Sequence, residues 1–419
     1  MVRIVPDRDR RPRAARHLSD FRRYVARSAV ALALGLAPVT ATTAAAAEAV
    51  TIRIAYLTQE DRPQTPVTFL EPVLTDAGLQ GARLGVADND STGRFTGQRF
   101  ELVEAVVPRD GSVAEAAQAL AADGIRFIVA DLPRSPLREV AALTDMAEAL
   151  IFNTRAPDDS LRNDECAANL LHVTPSRRML ADALGQYLVW KKWTRWAVIA
   201  GPTPEDAAYA EAVQRAATRF GATVVERRDW TFDIGHRRVD TGHVTIQSEV
   251  PTATQLPDHD VLIVADEHDR FGEYLAYRTW QPRPVAGTHG LVPTAWARVH
   301  EQWGATQLHS RFEKAAGRWM TARDYTAWAA VRAIGEAATR AGSADPAAIA
   351  AFLRGDDFSL AAFKGEALTF REWDGQLRQP VLLAGPRMLI SVSPQDGFLH
   401  QGSLLDTLGD DRPETRCRL

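Results

Sequence analysis

Asp131, Arg134 and Ser135 lie within five residues of one another, directly after the apolar run Ile125, Phe127, Ile128 and Val129 in "GIRFIVADLPRSPLREVAALTDM" (Gly124 to Met146). A carboxylate, a guanidinium and a hydroxyl on one short turn can make charge-assisted hydrogen bonds to a strongly polar or anionic solute. The run before them has the character of a buried parallel strand. Ala141, Leu143, Met146 and Ala147 then recur at about helical spacing, so the stretch is expected to be strand, turn and helix. In open parallel sheets ligands collect just outside the carboxyl ends of the strands, which makes this turn the first candidate for a binding edge. Asn153, Thr154 and Arg155 close the next apolar segment, "ALIFNT", and offer amide, hydroxyl and guanidinium chemistry in the same way.

A third group, "DEHD" (Asp266 to Asp269), follows the strongly apolar "DVLIV". It admits two readings. Three carboxylates and a histidine can gather for a metal or an amine, or Asp266 or Asp269 can cap the next helix by accepting its backbone N–H bonds. Other apparent motifs fail on geometry. "HEQWG" (His300 to Gly304) lacks the second histidine that would put two zinc ligands on one helical face. "DNDSTG" (Asp88 to Gly93) begins like a calcium loop but has Arg99 where a bidentate glutamate belongs, and reads better as a solvated turn after a helix. The sequence holds no G-x-S-x-G elbow, C-x-x-C pair or Walker loop, and no nucleophile, base and orienting group can be assembled. The expectation is that the chain is not an enzyme, with no catalytic residue, no metal and no cofactor.

The elements that must position these residues alternate. "TIRIAYL" (Thr51 to Leu57) opens as a strand, a helix is expected from about Phe69 to Ala87, and "RFELVEAVV" is a second strand. "VAEAAQALAADG" supplies a helix stopped by Gly124. After "NLLHVTPS" crosses over, Ser176 caps "RRMLADALGQYLVW", and "RWAVIA", a helix from about Glu205 to Phe220, "ATVVERRDW" and "DVLIVAD" repeat the pattern. The polar insertion from Thr231 to His259 is expected to be loop, with one short strand at "HVTIQ". Two helices, "ARDYTAWAAVRAIGEAATRAG" and "DPAAIAAFLRG", and a hairpin turned at Asp374 and Gly375 complete the series. This is an α/β chain of two lobes, each a mainly parallel sheet flanked by helices. The expected first lobe is 48–173 with about 291–355, the second 174–290 with about 356–400, and 401–419 a C-terminal tail.

At 419 residues the chain has ample material for two cores. Residues 1–47 differ from the rest: arginine-rich as far as Arg27, then the apolar "SAVALALGLAPV", then Ala45-Ala46-Ala47 as an A-x-A cleavage signal, which together read as a secretory signal peptide. An uncleaved anchor is the alternative. No later run approaches the ~18 apolar residues of a membrane span, so the exported protein is expected not to be membrane-embedded. The leader holds nine basic and three acidic residues of the chain's 49 and 53, leaving 40 against 50, a net charge near −10 that argues against nucleic acid and anionic membrane as partners. The two cysteines, Cys166 and Cys417, are expected to pair in an oxidising compartment; two buried thiols are the alternative.

In order, the segments "IRIAYL", "LLHVTPSRRMLADALGQYL", "RWAVIAGPTPEDAAYAEAVQRAATRFGATVV" and "YTAWAAVRAIGEAATRAGSADPAAIAAFLRG" followed by "FKGEALTFREWDGQ" resemble the periplasmic substrate-binding proteins of the branched-chain amino acid type of ABC transporter. The resemblance spans about residues 50 to 400 and implies the type I periplasmic-binding fold. More narrowly, "FNTRAPDDSLRNDECAANLLHVTPS" and "NDSTGRFTGQ" are similar to the subgroup associated with pyrroloquinoline quinone-dependent alcohol dehydrogenase systems. It implies a small-molecule ligand held between two lobes by Asp131, Arg134, Ser135, Asn153, Thr154 and Arg155 on one side. On the other, Tyr209 is implied as an aromatic against the ligand and Asp266 with Glu267 as the acids for its amine. Family members hold an amino-acid carboxylate in a Gly-x-x-Ser-like loop; here Pro133 removes a donor there and Asp131 repels a carboxylate. The implied partner is an ABC transporter permease, the implied location the periplasm, and the implied state a monomer. A periplasmic accessory or sensor of a quinoprotein dehydrogenase, without transport, is the other reading of the same resemblance.

Overall fold

The computed structural model describes residues 50–61, 73–231, 242–276, 278–417 and 419. The expected leader and the residues around Phe69 lie outside them.

The first half of the chain builds one parallel sheet. Strand β1 (Val50–Gln59) is followed by helix α1 (Leu79–Thr96), β2 (Gln98–Val107), α2 (Val113–Ala122), β3 (Phe127–Asp131), α3 (Arg134–Ala142), β4 (Leu150–Asn153) and β5 (Leu170–His172). The strands assemble in the order β2-β1-β3-β4-β5. Every residue of β3 and β4 is buried, as expected for parallel strands covered on both faces. Register sets the candidate edge: Thr58 pairs with Asp131, and Ala130 with Asn153, so the ends of β1, β3 and β4 emerge level.

Helix α4 (Arg177–Trp190), capped by the Ser176 hydroxyl, leads into a second parallel sheet of β6 (Arg195–Ala200), α5 (Pro204–Phe220), β7 (Thr223–Asp229), α6 (Gly242–Ala253), β8 (Val261–Ala265) and β9 (Val285–Gly287), ordered β7-β6-β8-β9. A Thr203/Asp206 capping box starts α5. Strand β10 (Val292–Thr294), helices α7 (Ala305–Ala316), α8 (Ala322–Ala341) and α9 (Pro346–Arg354), the small sheet of β11 (Leu360–Ala361), β12 (Ala367–Phe370) and β13 (Leu377–Arg378), and the strands β14 (Val381–Ala384) and β15 (Leu389–Ser393) complete the chain.

Several expectations are corrected. The helix after β3 begins at Arg134 and ends at Ala142, where only a short 3-10 turn, Thr144–Met146, follows; Pro133 occupies its N-cap. "DNDSTG" lies inside α1, because α8 packs along it: the Trp328 indole donates to Asp88 at 2.9 Å and Asn89 donates to the Val331 carbonyl at 2.8 Å. "HVTIQ" is helical, within α6, where Ile246 and Val250, four residues apart, are buried in one cluster with Leu262 and Val264. The hairpin at Asp374 and Gly375 forms between β12 and β13, but β14 leaves it to pair with β10 and β15. Leu360, Leu368, Phe370 and Leu377 share a core with Ile52, Phe152 and Trp328, so residues 360–377 pack with the first sheet, where second-lobe packing was expected from about 356.

Cys166 and Cys417 form a disulfide, as expected from the cysteine pair, across a sequence separation of 251. Among the described residues no helix is long and apolar enough to cross a membrane.

Candidate functional site

At the first edge, Asp131 is buried (1% exposed) at the end of β3. The Tyr56 hydroxyl from β1 donates to its Oδ2 at 2.5 Å and Arg323 Nη2, from the first turn of α8, at 2.7 Å. The other arm of Arg323 reaches Asp61 Oδ2 at 3.1 Å, and Arg155 Nη2 reaches Asp61 Oδ1 at 2.5 Å. Burial pushes the Asp61 carboxyl up, but the hydrogen bonds and charges of Arg155 and Arg323 outweigh it and leave the group below the usual carboxylate range. Burial and the neighbouring Asp131 hold the Tyr56 hydroxyl far above its ordinary value, so it stays a donor. Two buried atoms here have no partner among the described residues, Asp131 Oδ1 and Arg323 Nε.

Local backbone explains the close approach. Gly78 has φ +88°, and a Cβ there would stand 2.4 Å from the Tyr56 hydroxyl and 2.7 Å from Asp131 Oδ2. A Cβ on Gly81 would meet the Asp324 carbonyl at 1.9 Å, so only glycine lets α1 approach the start of α8 and bring Arg323 to Asp131.

At the second edge, Asp266 directly follows β8 and accepts the N–H groups of Arg270 at 3.0 Å and of Phe271 and Gly272 at 2.8 Å each. The Asp266 carboxylate thus accepts backbone N–H groups in the turn that leads into the 3-10 segment Gly272–Tyr274, the kind of contact that the capping alternative for "DEHD" describes. Glu267 takes both its oxygens to Arg177, at 2.7 Å from Nε and 2.7 Å from Nη2. Arg177 Nη1 also binds Asp158 Oδ1 at 2.9 Å, so one guanidinium joins the loop after β4 to the end of β8. Burial lifts the Glu267 carboxyl above its usual range and Arg177 draws it part of the way back. Tyr209 is buried on α5 and its hydroxyl lacks a partner among the described residues; burial, then the charge of Glu267, raises its pKa.

The other predicted residues sit as follows. Arg134 forms a bidentate pair with Glu165 and is half-exposed. Ser135 is exposed in the first turn of α3. Asn153 is fully buried, its Oδ1 accepting the N–H groups of Arg155 at 3.2 Å and Ala156 at 2.8 Å, which shapes the loop. Thr154 is buried and donates to the Ala130 carbonyl at 3.2 Å. Residue-level reading missed Tyr56, Asp61, Asp158, Arg177 and Arg323. Asp61 lies two residues past the end of the first strand and was open to the strand-end rule; Arg323 was not, since its partner Asp131 lies 192 residues away. Two surface hollows, of about 470 Å³ between β2 and α2 and about 300 Å³ beside Trp373 and Cys417, contain none of the predicted ligand residues. Convergence of polar groups at the strand ends is the better guide to the site.

Residues 73–233 match the model of a periplasmic binding protein family. No curated protein matches the sequence. Among solved structures, the chain is similar to a branched-chain amino acid ABC transporter periplasmic ligand-binding protein from Burkholderia xenovorans LB400 (15% identity, 87% of this chain and 99% of that one, TM-score 0.66). It is also similar to the leucine-, isoleucine-, valine-, threonine- and alanine-binding protein from Brucella ovis in a closed conformation (14%, 82% and 95%, 0.63). A third is an ABC transporter substrate-binding protein from Desulfitobacterium hafniense in complex with leucine (17%, 82% and 100%, 0.60). The architecture is therefore the two-lobed type I periplasmic-binding fold. The resemblance read from the sequence holds in fold and over the matched segment.

Proposed function

We propose that this chain is a periplasmic solute-binding protein that captures a small polar molecule between its lobes and hands it to an ABC transporter permease. The observation that supports this most is the match to binding proteins along 82–87% of the chain, with polar side chains converging at the carboxyl ends of both parallel sheets. The lobes are taken as the described residues of 50–173 with those of 295–378, and the described residues of 174–290, on the basis of shared cores, with β14 giving Leu382 to the first core and Val381 and Leu383 to the second. The ligand-contact set is taken from the strand ends, with Asp61, Asp131, Arg155 and Arg323 in the first lobe and Tyr209 and Glu267 in the second. Ligand held by one lobe and completed by contacts to the other stabilises a closed state by hinge closure.

The resemblance of Phe152–Ser176 and Asn89–Gln98 to proteins of quinoprotein systems supports a solute linked to alcohol oxidation. Calorimetry and small-angle scattering on the exported protein with alcohols, aldehydes, carboxylates and amino acids test the reading. The expected result is saturable one-to-one binding by one class, accompanied by compaction. No heat and no compaction with any class would refute it.

A further inference from the structure

A ligand ammonium needs a carboxylate with free lone pairs at the binding edge, and the described strand ends withhold one. Asp131 gives Oδ2 to Tyr56 and Arg323, and its Oδ1, without a partner among the described residues, is buried out of reach of solvent; Asp61 is taken by Arg155 and Arg323, and Asp266 by three backbone N–H groups. Glu267 is the remaining acid, and it faces a guanidinium of the protein's own, fork to fork, at 2.7 Å on both arms. Arg177 is 4% exposed and its third nitrogen is held by Asp158 at 2.9 Å, so it is fixed from both sides and does not swing away as a solvated arginine would. Its backbone N–H donates to the Pro157 carbonyl at 2.9 Å, which anchors the start of α4 to the same loop. Beside Glu267, the Tyr209 hydroxyl keeps its proton and lacks a partner among the described residues. It is a donor suited to a ligand oxygen.

We propose that Arg177 is a specificity-determining residue: it stands as the built-in cation opposite Glu267, so that the site takes small oxygen compounds, hydroxyl, carbonyl or carboxylate, and rejects their amine counterparts. The inference rests on the solute-binding reading and names the class of solute. A cationic amine brought to Glu267 finds both carboxylate oxygens held by Arg177, which Asp158 fixes from the other side, so it would have to displace a buried guanidinium to gain its own contact, and an acceptor already occupied is a device for rejection as effective as a missing one. Removing the guanidinium while keeping Glu267 turns the same position into an amine acceptor.

The test uses shape-matched pairs that differ in amine against hydroxyl or carboxylate: leucine with 2-hydroxy-4-methylpentanoate, alanine with lactate, and benzylamine with benzyl alcohol and benzoate. Calorimetry compares the exported wild type, Arg177→Gln and Arg177→Lys. In the wild type the oxygen member of a pair should bind at least about tenfold more tightly than the amine, the range of one charged hydrogen bond gained or lost. Arg177→Gln should shrink or invert that ratio and Arg177→Lys should retain it. A wild type that prefers the amine member, or a ratio unmoved by Arg177→Gln, overturns the inference and leaves solute binding standing. If no pair binds, it is the solute-binding reading that fails, and thermal unfolding decides the role of Arg177 by itself. Methylguanidinium should raise the melting temperature of Arg177→Ala by about 2 °C and leave the wild type unmoved; equal responses overturn it.

Discussion

Replacing Arg323 with methionine should cost the fold about 3–4 kcal/mol, and the structure shows why one residue weighs that much. Its two arms are unequal. The arm to Asp131 is a 2.7 Å charged hydrogen bond to a carboxylate that is 1% exposed, worth about 1.5–3 kcal/mol. Its loss leaves Asp131 with the Tyr56 hydroxyl and a second oxygen that has no partner among the described residues. Breaking a buried pair from one side costs about 3–5 kcal/mol in general, because the remaining charge stays buried and uncompensated. The arm to Asp61 adds only about 0–1 kcal/mol, since that carboxylate is half-exposed and keeps Arg155. The total is placed toward the lower end of the buried-pair range because a third of the Arg323 side chain is itself exposed. Urea unfolding at pH 7 reads the loss as a lowered midpoint at unchanged slope. Asp131→Asn alone should also destabilise, and the double variant should be less destabilised than the two losses added, with a coupling of about 2 kcal/mol. A loss below about 1 kcal/mol for Arg323→Met, or strict additivity in the cycle, would show that the pair does not hold the edge together.

The disulfide closes a loop across a sequence separation of 251, so replacing Cys166 and Cys417 with serine should lower stability by about 3–5 kcal/mol in denaturant melts. An unchanged midpoint would mean that Asp410, paired with Arg178 and Arg215, holds the tail unaided. Burial holds the imidazoles of His300 and His309 below their ordinary value, so the folded state binds fewer protons than the unfolded one. Their contribution is therefore complete above about pH 6.5 and lost as pH falls through the folded values; His300→Gln with His309→Gln should flatten the loss of melting temperature between pH 7 and 5. Arg134→Ala should cost under about 1 kcal/mol and leave ligand affinity unchanged, since its pair with Glu165 is half-exposed. A tenfold loss of affinity would return Arg134 to the site.

What could be read from the sequence was whatever is decided locally. The apolar runs of β1, β3, β6 and β8 announce buried strands, and Ser112, Ser176, Thr203 and Thr321 cap helices where hydroxyl residues precede them. What could not be read was decided by distant packing. Helix α6 carries valine, isoleucine, threonine and a proline, poor helix formers, and forms because Ile246 and Val250 find the second sheet. "DNDSTG" has the composition of a turn and is helical because α8, 240 residues away, supplies the partners of Asp88 and Asn89. The acids of the candidate site follow the strand-end rule and were found as Asp131, Asp266 and Glu267, but two of the cations that neutralise them come from helix starts: Arg177 is the first residue of α4 and Arg323 the second of α8. A cation there opposes the helix macrodipole at a cost of about 0.3–1 kcal/mol, so it must be held by something outside its own helix. Arg134, first in α3, obeys the same logic with Glu165. Arginine in the first turn of a helix that enters from a strand end was the available signal, and it points to an unseen carboxylate rather than to a waiting ligand.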